Sequence, residues 1–499
     1  MNDPTLPISA AIAPQAIVGA PDLSTQLSDL AQQSAQINER LQALAKQIPA
    51  LPVPASRLDI FHGYMGIFVV SFLVALLITP LLRRLAISQG IVDRPSEARK
   101  IHRVPIAYLG GVAVYIGILA GILFAYTAPL HNLISFHEST KTDHSGLPGG
   151  VPLSVLIGMT VIMLAGLWDD VVGTYPRLKI AWMLIAAGAL ATEDVGVKVA
   201  AGVLVPIAKA LGIHTVIQNL AAGGTVETVA FHIPLPMSVL GYTNINVDIV
   251  YWIGTAIIAV FVLGACNASN LIDGLDGLLT GVTTIANAGL LVIALGLAAL
   301  DDGPRDASRI VLGLAVLGAC LGFLPHNFNP ATIFLGDAGS LMLGYCTIVL
   351  VLMLGDTGKT HLVMAGLIIY AIPIIDTTLA IVRRKMSGRK ISDADDHHLH
   401  HMLKRALGVK GAVFVLYGIG IGFASLGILL SEGRQRVVYA LVCVFAAFIG
   451  VIALKIGRKE LMERQMLDAE SRRNRDADPK GPSEPAAKST DPAKIPYQA

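Results

Sequence analysis

Eleven apolar runs dominate this chain, at residues 61–82, 107–127, 151–168, 178–192, 249–267, 278–299, 309–325, 338–355, 360–382, 410–431 and 436–456. Most approach the ~20 residues with which a helix crosses ~30 Å of hydrocarbon. No water reaches the backbone there, so a crossing segment must satisfy its own N–H and C=O groups, which a helix does and an open strand cannot. Of 499 residues, 54% are hydrophobic and only 14% charged, where soluble domains carry about a quarter charged. The expected fold class is an all-α polytopic integral membrane protein with about eleven transmembrane helices, surrounded by membrane lipid. The stretch 195–212 is apolar too, but Lys198, Pro206 and Lys209 interrupt it, which suits an interfacial or re-entrant segment better than a crossing.

A formal net charge of +2, with no basic stripe interleaved with aromatics, excludes nucleic acid as a partner. Cys266, Cys320, Cys346 and Cys443 all lie in apolar runs without CxxC spacing. They read as small buried hydrophobes rather than disulfides or thiolate metal ligands. No basic segment followed by a short apolar core opens the chain, so no cleaved signal peptide is expected.

Lys and Arg set the orientation. Arg83, Arg84, Arg94, Arg99, Lys100 and Arg103 follow the first run; Arg383, Arg384, Lys385, Arg389, Lys390, Lys404 and Arg405 follow the ninth. Both loops therefore face the cytoplasm. With eleven crossings, parity adds 169–177, 268–277 and 326–337 to that side, and turns 128–150, 193–248, 301–308 and 356–359 outward.

The chain is expected to divide into an outward N-terminal tail (1–60), a transmembrane domain (61–456) and a cytoplasmic tail (457–499). In the first, Leu23, Leu27, Leu30, Ile37, Leu41, Leu44 and Ile48 follow a 4,3 spacing that Ser34 interrupts. Two readings stay open for this segment, about 23–48: a short coiled coil pairing two copies as a homodimer, or a solitary amphipathic helix. From Glu470 the chain is polar and Pro-rich, a composition with nothing to bury, so disorder is expected.

An aspartate at mid-bilayer costs about 2.5–3.5 kcal/mol, so carboxylates should sit at helix ends or line a cavity. Dense clusters fall on the inner side: Asp169 and Asp170 in "LWDDVVG", Asn267, Asn270, Asp273 and Asp276 in "NASNLIDGLDG", Asp337 in "FLGDAGS", and Asp395, Asp396, His397, His398, His400 and His401 in "DADDHHLHH". Gly274, Gly277, Gly336 and Gly339 remove bulk where a backbone must turn or a ligand approach. Asp and Asn oxygens without cysteine suit a hard cation such as Mg²⁺, held by carboxylates together with substrate phosphates. The Asp-Gly repeats do not fit an EF-hand, and the histidines lack HExxH spacing, which disfavours zinc. Instead the histidines, with Lys100, His102, Arg383 and Arg384, read as donors to phosphate oxygens. Acidic metal sites ringed by cations describe phosphoryl transfer.

In combination and order these motifs, with "DRPSEARKIHRVP" ahead of Gly110 and Gly111, Asp376 ahead of Arg383, and the H-x-H-H of His398, His400 and His401, resemble the polyprenyl-phosphate N-acetylhexosamine-1-phosphate transferase family. The resemblance runs from about Phe61 to Ile456. It implies Mg²⁺-dependent transfer (Mn²⁺ substituting) of N-acetylhexosamine 1-phosphate from a UDP-N-acetylhexosamine to undecaprenyl phosphate. UMP would leave, and cell-envelope polysaccharide synthesis, such as that of cell wall or lipopolysaccharide, would begin at the bacterial inner membrane.

By the same resemblance, Asn270 and Asp337 are the metal ligands, Phe334 stacks on uracil, Asp273 contacts the nucleotide, and Asp169 and Asp170 serve the lipid phosphate and catalysis. Asp276 joins the catalytic carboxylates without a fixed role, and His398, His400, His401 and Lys100 grip phosphates. "IAYLGG" and "HHLHHML" favour GlcNAc 1-phosphate over the phospho-N-acetylmuramoyl-pentapeptide branch. A carboxylate-based ion transporter is the rival from a different class, and Asp376 inside an apolar run is the feature that would serve it. A scaffold would need none of the carboxylates. Asp337→Ala is expected to lower metal-dependent UMP release about 100-fold or more, while Asp301→Ala in the outward loop leaves it unchanged; a coupled UMP assay on purified protein reads both.

Overall fold

In a computed structural model of the chain, the described residues are chiefly 56–93, 105–131, 150–219, 225–239, 242–300, 305–386 and 398–445, with scattered positions beyond them. Two compact units separate at Ala55 and Ser56. In the first, the described positions between 28 and 40 are helical and exposed; most of the 4,3 segment, Asp301 and Asp302, and nearly all of the tail after 457 lie outside the described residues.

The second unit is a helical bundle. Its helices are α1 (Arg57–Ser88), α2 (Gly110–Tyr126), α3 (Leu153–Val172), α4 (Pro176–Thr192), α5 (Ala201–Ala210), α6 (Ile249–Ile272), α7 (Leu278–Ala299), α8 (Asp306–Asn327), α9 (Gly336–Met353), α10 (Thr360–Ile369), α11 (Ala371–Met386), α12 (Leu399–Ser431) and α13 (Gln435–Phe445). The described residues of all eleven apolar runs are chiefly helical. Seven of these are long and apolar enough to cross a membrane, or nine when each of two bent pairs counts once, and α2 and α13 are shorter apolar helices. A multi-pass membrane fold is therefore established. The figure of eleven is not reached by length and composition.

Local chemistry accounts for the breaks. The run 360–382, expected as one crossing, is two helices bent by 79° at Tyr370. Pro373 cannot donate to the carbonyl of Ile369 one turn earlier, so the ladder stops there. The α4 run likewise does not continue through 195–212. It turns through Gly196 at φ +78° into a segment bent by 83° that ends in α5. Beyond it lie elements not anticipated in an all-α reading: antiparallel hairpins β3–β4 (Val216–Asn219, Thr225–Thr228) and β5–β6 (Ala230–Val239, Tyr242–Asp248). A third, β1–β2 (Val92–Asp93, Ile106–Ala107), pairs Asp93 with Ile106.

Helix α9 is the axis of the bundle, with 89% of its apolar window buried against 22% for α1. Close approach is bought with small residues. A Cβ on Gly318 or Gly322 of α8 would lie 2.5 or 2.3 Å from a carbonyl of α1, so the two backbones touch. At the end opposite the carboxylate clusters, Arg305 donates to the carbonyl of Glu193 and lies 3.4 Å from Asp356, whose other oxygen accepts from Gly196 N at 2.8 Å. Both side chains are buried, and breaking such a pair leaves an uncompensated charge. Arg305→Met is accordingly expected to lower stability by about 3 kcal/mol, read as a lower melting temperature in detergent with substrate KM unchanged.

Candidate functional site

Asp170, in the last turn of α3, accepts from the backbone N–H of Asp337 at 2.8 Å and of Ala338 at 3.0 Å. It thus satisfies two of the donors that every helix leaves open at its start, here that of α9. Gly336 turns into the helix at φ +70°, and a Cβ there would stand 2.5 Å from Asp170 Oδ2. The carboxylate is taken up by α9, which fixes where Asp337 points.

From Asp337 a chain of contacts crosses three more elements. Asn270, in the last turn of α6, donates through Nδ2 to Asp337 Oδ1 at 2.7 Å and to Ser340 Oγ at 3.0 Å. Lys179, in the first turn of α4, places Nζ 2.6 Å from Asp337 Oδ2 and 2.7 Å from Asp169 Oδ2. Asp169 is held in turn by the N–H and hydroxyl of Thr174 at 2.8 and 2.5 Å. Lys179 was missed in the sequence, where its only signal is a lone cation just inside an apolar run.

Asp273 caps the end of α6 beside this group. Burial, and then the carboxylates of Asp337, Asp170 and Asp276, push its pKa up to about 8. Asp276 accepts from Asn329 Nδ2 at 2.9 Å and Ala331 N at 3.0 Å, bracing the loop that leads to Phe334. That loop is pinned on its other side, where Phe334 N donates to the carbonyl of Ala107 at 2.8 Å. A cavity of about 490 Å³ results, lined among others by Asp93, Tyr108, Asn270, Asp273, Phe334 and Asp337. Asp276 lines it too, whereas Asp169 and Lys179 reach it through Asp337. Asp93 and Tyr108 are further wall residues that the sequence did not single out.

The histidines are placed differently from expectation. His398 and His400 are buried and do not line the cavity. Both turn Nδ1 to Asp376 Oδ2, at 3.0 and 3.4 Å, and Asp376 Oδ1 accepts from Leu399 N at 2.8 Å, capping α12. His400 Nε2 backs Gly274, where a Cβ would come within 2.5 Å. His401 packs on His400 with ring centroids 4.3 Å apart. Arg383 and Arg384 are buried on α11 outside the cavity wall. Lys100, His102, Asp395, Asp396 and His397 lie outside the described residues.

Two donor sets could hold a metal. Asp376, His398 and His400 bring ligand atoms within 4.8 Å of one another, with Asp376 Oδ1 also accepting from Leu399 N. Asn270, Asp273 and Asp337 offer oxygen ligands in a cavity where crowded carboxylates favour a cation, a donor set that suits a hard divalent ion.

The sequence model for glycosyl transferase family 4 matches residues 152–355. A probable undecaprenyl-phosphate N-acetylglucosaminyl 1-phosphate transferase of Bacillus subtilis is 29% identical, across 77% of this chain and 90% of its own length. A decaprenyl-phosphate N-acetylglucosaminephosphotransferase of Mycolicibacterium smegmatis is 31% identical, across 74% and 84%. A phospho-N-acetylmuramoyl-pentapeptide-transferase of Bacillus cytotoxicus is 26% identical, across 73% and 95%.

The raised Asp273 carries a sign. A carboxyl whose pKa rises on folding stays protonated in the folded chain after the unfolded chain has ionised, so the stability linked to that proton is whole below about 3.8, falls steadily above it and is lost once pH has passed about 8. In chelator-treated protein the melting temperature should therefore fall as pH rises from about 4 to about 8 and level off above that, and Asp273→Asn should flatten that slope.

Proposed function

The chain belongs to glycosyl transferase family 4 and is a phosphoglycosyltransferase, and from that footing we propose that it transfers GlcNAc 1-phosphate from UDP-GlcNAc to undecaprenyl phosphate. UMP leaves, and the lipid-linked sugar starts a cell-envelope polysaccharide. The observation that carries this reading is one cavity with an aromatic wall at Phe334 and an oxygen-rich wall at Asn270 and Asp337. That pairing suits a molecule with a flat base at one end and a diphosphate beside it. GlcNAc is favoured by the "IAYLGG" and "HHLHHML" motifs and by relatives named for that sugar. Relatives named for the muramoyl-pentapeptide keep that donor as the second reading.

In this mechanism an oxygen of the lipid phosphate attacks the phosphorus next to the sugar. A phosphate monoester with a second pKa of about 6 is already largely dianionic at neutral pH, so the acceptor needs placing more than deprotonating. Asp169 and Lys179 serve that purpose as a pair, because the ammonium offsets the repulsion a bare carboxylate would exert on a dianion. Phe334 holds uracil by its face, and Asp273 contacts the nucleotide. Mg²⁺ on Asn270 and Asp337, with Mn²⁺ able to replace it, would neutralise the charge gathering on the leaving phosphate. Were the shorter helices α2 and α13 to cross beside the nine, the Lys and Arg bias of the loops would put the cavity on the cytoplasmic side.

A panel of UDP-sugars with undecaprenyl phosphate, read by mass spectrometry of the lipid product, is expected to give GlcNAc-diphospholipid and UMP only when a divalent cation is present. Product from UDP-MurNAc-pentapeptide alone would select the second reading. No product from any UDP-N-acetylhexosamine would remove the assignment.

A further inference from the structure

Asp93 and Tyr108 have no part in the metal cluster or the base platform, yet both form wall of the cavity. Their backbone is firmly set. Asp93 pairs with Ile106 across β1–β2, Tyr108 N donates to the carbonyl of Ile91 at 3.3 Å, and the carbonyl of Tyr108 accepts from Gly110 N at 2.8 Å. The Tyr108 ring leans on Phe334, with centroids 6.1 Å apart and planes at 58°. Burial, and then the charges of Asp93, Asp170 and Asp337 with a hydrogen bond to Asp93, push the Tyr108 phenol pKa up, while the backbone after it runs on beside α9's entry, Gly111 N donating to the carbonyl of Leu335 at 2.8 Å.

Order along the wall is therefore aromatic platform, then Tyr108 with Asp93, then the oxygen-rich group of Asp337. A UDP-sugar has a matching order of base, ribose, diphosphate and sugar. A carboxylate and a phenol are poor company for phosphate, since neither brings positive charge. They suit a neutral group that donates O–H, and a carboxylate accepting from a ribose hydroxyl is a recurrent solution in nucleotide sites.

We infer that Asp93, held and extended by Tyr108, is the ribose-reading group of this cavity: its carboxylate accepts from the 2′-hydroxyl of the uridine nucleotide. This rests on the nucleotide reading above and names which part of the donor the hairpin β1–β2 recognises. The class of ligand selected is a ribonucleotide over a deoxyribonucleotide.

Calorimetric binding of UMP and 2′-deoxy-UMP to the purified full chain in detergent with Mg²⁺ tests it without the lipid acceptor. Wild-type protein should prefer UMP about tenfold or more, the range of one hydrogen bond to a charged acceptor. Asp93→Asn and Asp93→Ala should cut that preference to within about twofold by weakening UMP alone, and Tyr108→Phe should give an intermediate ratio. Melting temperatures of Asp93→Asn and Tyr108→Phe should stay at the wild-type value. A wild-type chain indifferent to the 2′-hydroxyl, or a preference that survives both Asp93 substitutions, overturns the inference. Equal loss of both ligands does so as well, since that would mark a structural role. Turnover is scored separately: product from UDP-GlcNAc with no ribose preference keeps the enzyme reading and removes this one, and ribose preference through Asp93 without any product does the reverse.

Discussion

Two backbone N–H groups at the start of α9, both donating to Asp170, set the position of Asp337 and so of the groups that meet it in the cavity. A helix end left open inside a membrane protein carries orphan donors that lipid cannot satisfy. Meeting them with a carboxylate from α3 ties the two helices at one level. Because Asp337 is itself one of the capped residues, the tie also aims its side chain, and through it Asn270, Lys179 and Asp169. Structure and chemistry share one hydrogen-bond network here, so a change at Asp170 cannot be read as purely catalytic.

The same crowding explains why the site suits a divalent cation. Asp169, Asp170, Asp273, Asp276 and Asp337 converge from four helix ends, with Lys179 bridging two of them and Lys404 in the field of Asp276. An ammonium bridging two carboxylates from different helices neutralises part of the charge. Burial, and then the charges of Asp337, Asp170 and Asp276, push the pKa of Asp273 up to about 8. A doubly charged ion bridging substrate phosphates fits that imbalance on both counts, charge and oxygen preference.

Much of this was legible in sequence, for physical reasons that can be named. Apolar runs announce helices because hydrocarbon permits little else, and clustered Asp and Asn in such a chain must sit where water or ions reach them. So the convergence of Asn270, Asp273, Asp276, Phe334 and Asp337 on one cavity was open to reading. Lys179 was not, because its partners lie ten residues away in Asp169 and far along the chain in Asp337, and a single cation at the start of an apolar run looks like an ordinary anchor. Asp93 and Tyr108 were hidden likewise, since a two-residue strand pairing gives no periodic signal. The orientation of the histidines was hidden as well: nothing in a linear motif says that Asp376, while accepting from Leu399 N at the start of α12, would also draw the Nδ1 atoms of His398 and His400.

That capping also bears on the rival reading of an ion transporter. A transporter needs an ionisable site reached alternately from both sides, near the midplane and on broken helices. Asp376 and the break at Tyr370 look like such parts when read alone. In the structure Asp376 is engaged by Leu399 N and His398, a local bracing of the helix junction beneath Gly274. Meanwhile the far end of the bundle is closed by buried charge, with Arg305 on Asp356 and on the carbonyl of Glu193, and Arg309 on Asp306. Opening that end would strand several charges away from water, each at a cost of several kcal/mol. A cavity at one end of α9, with buried ion pairs at the other, suits chemistry performed at a single end of the bundle.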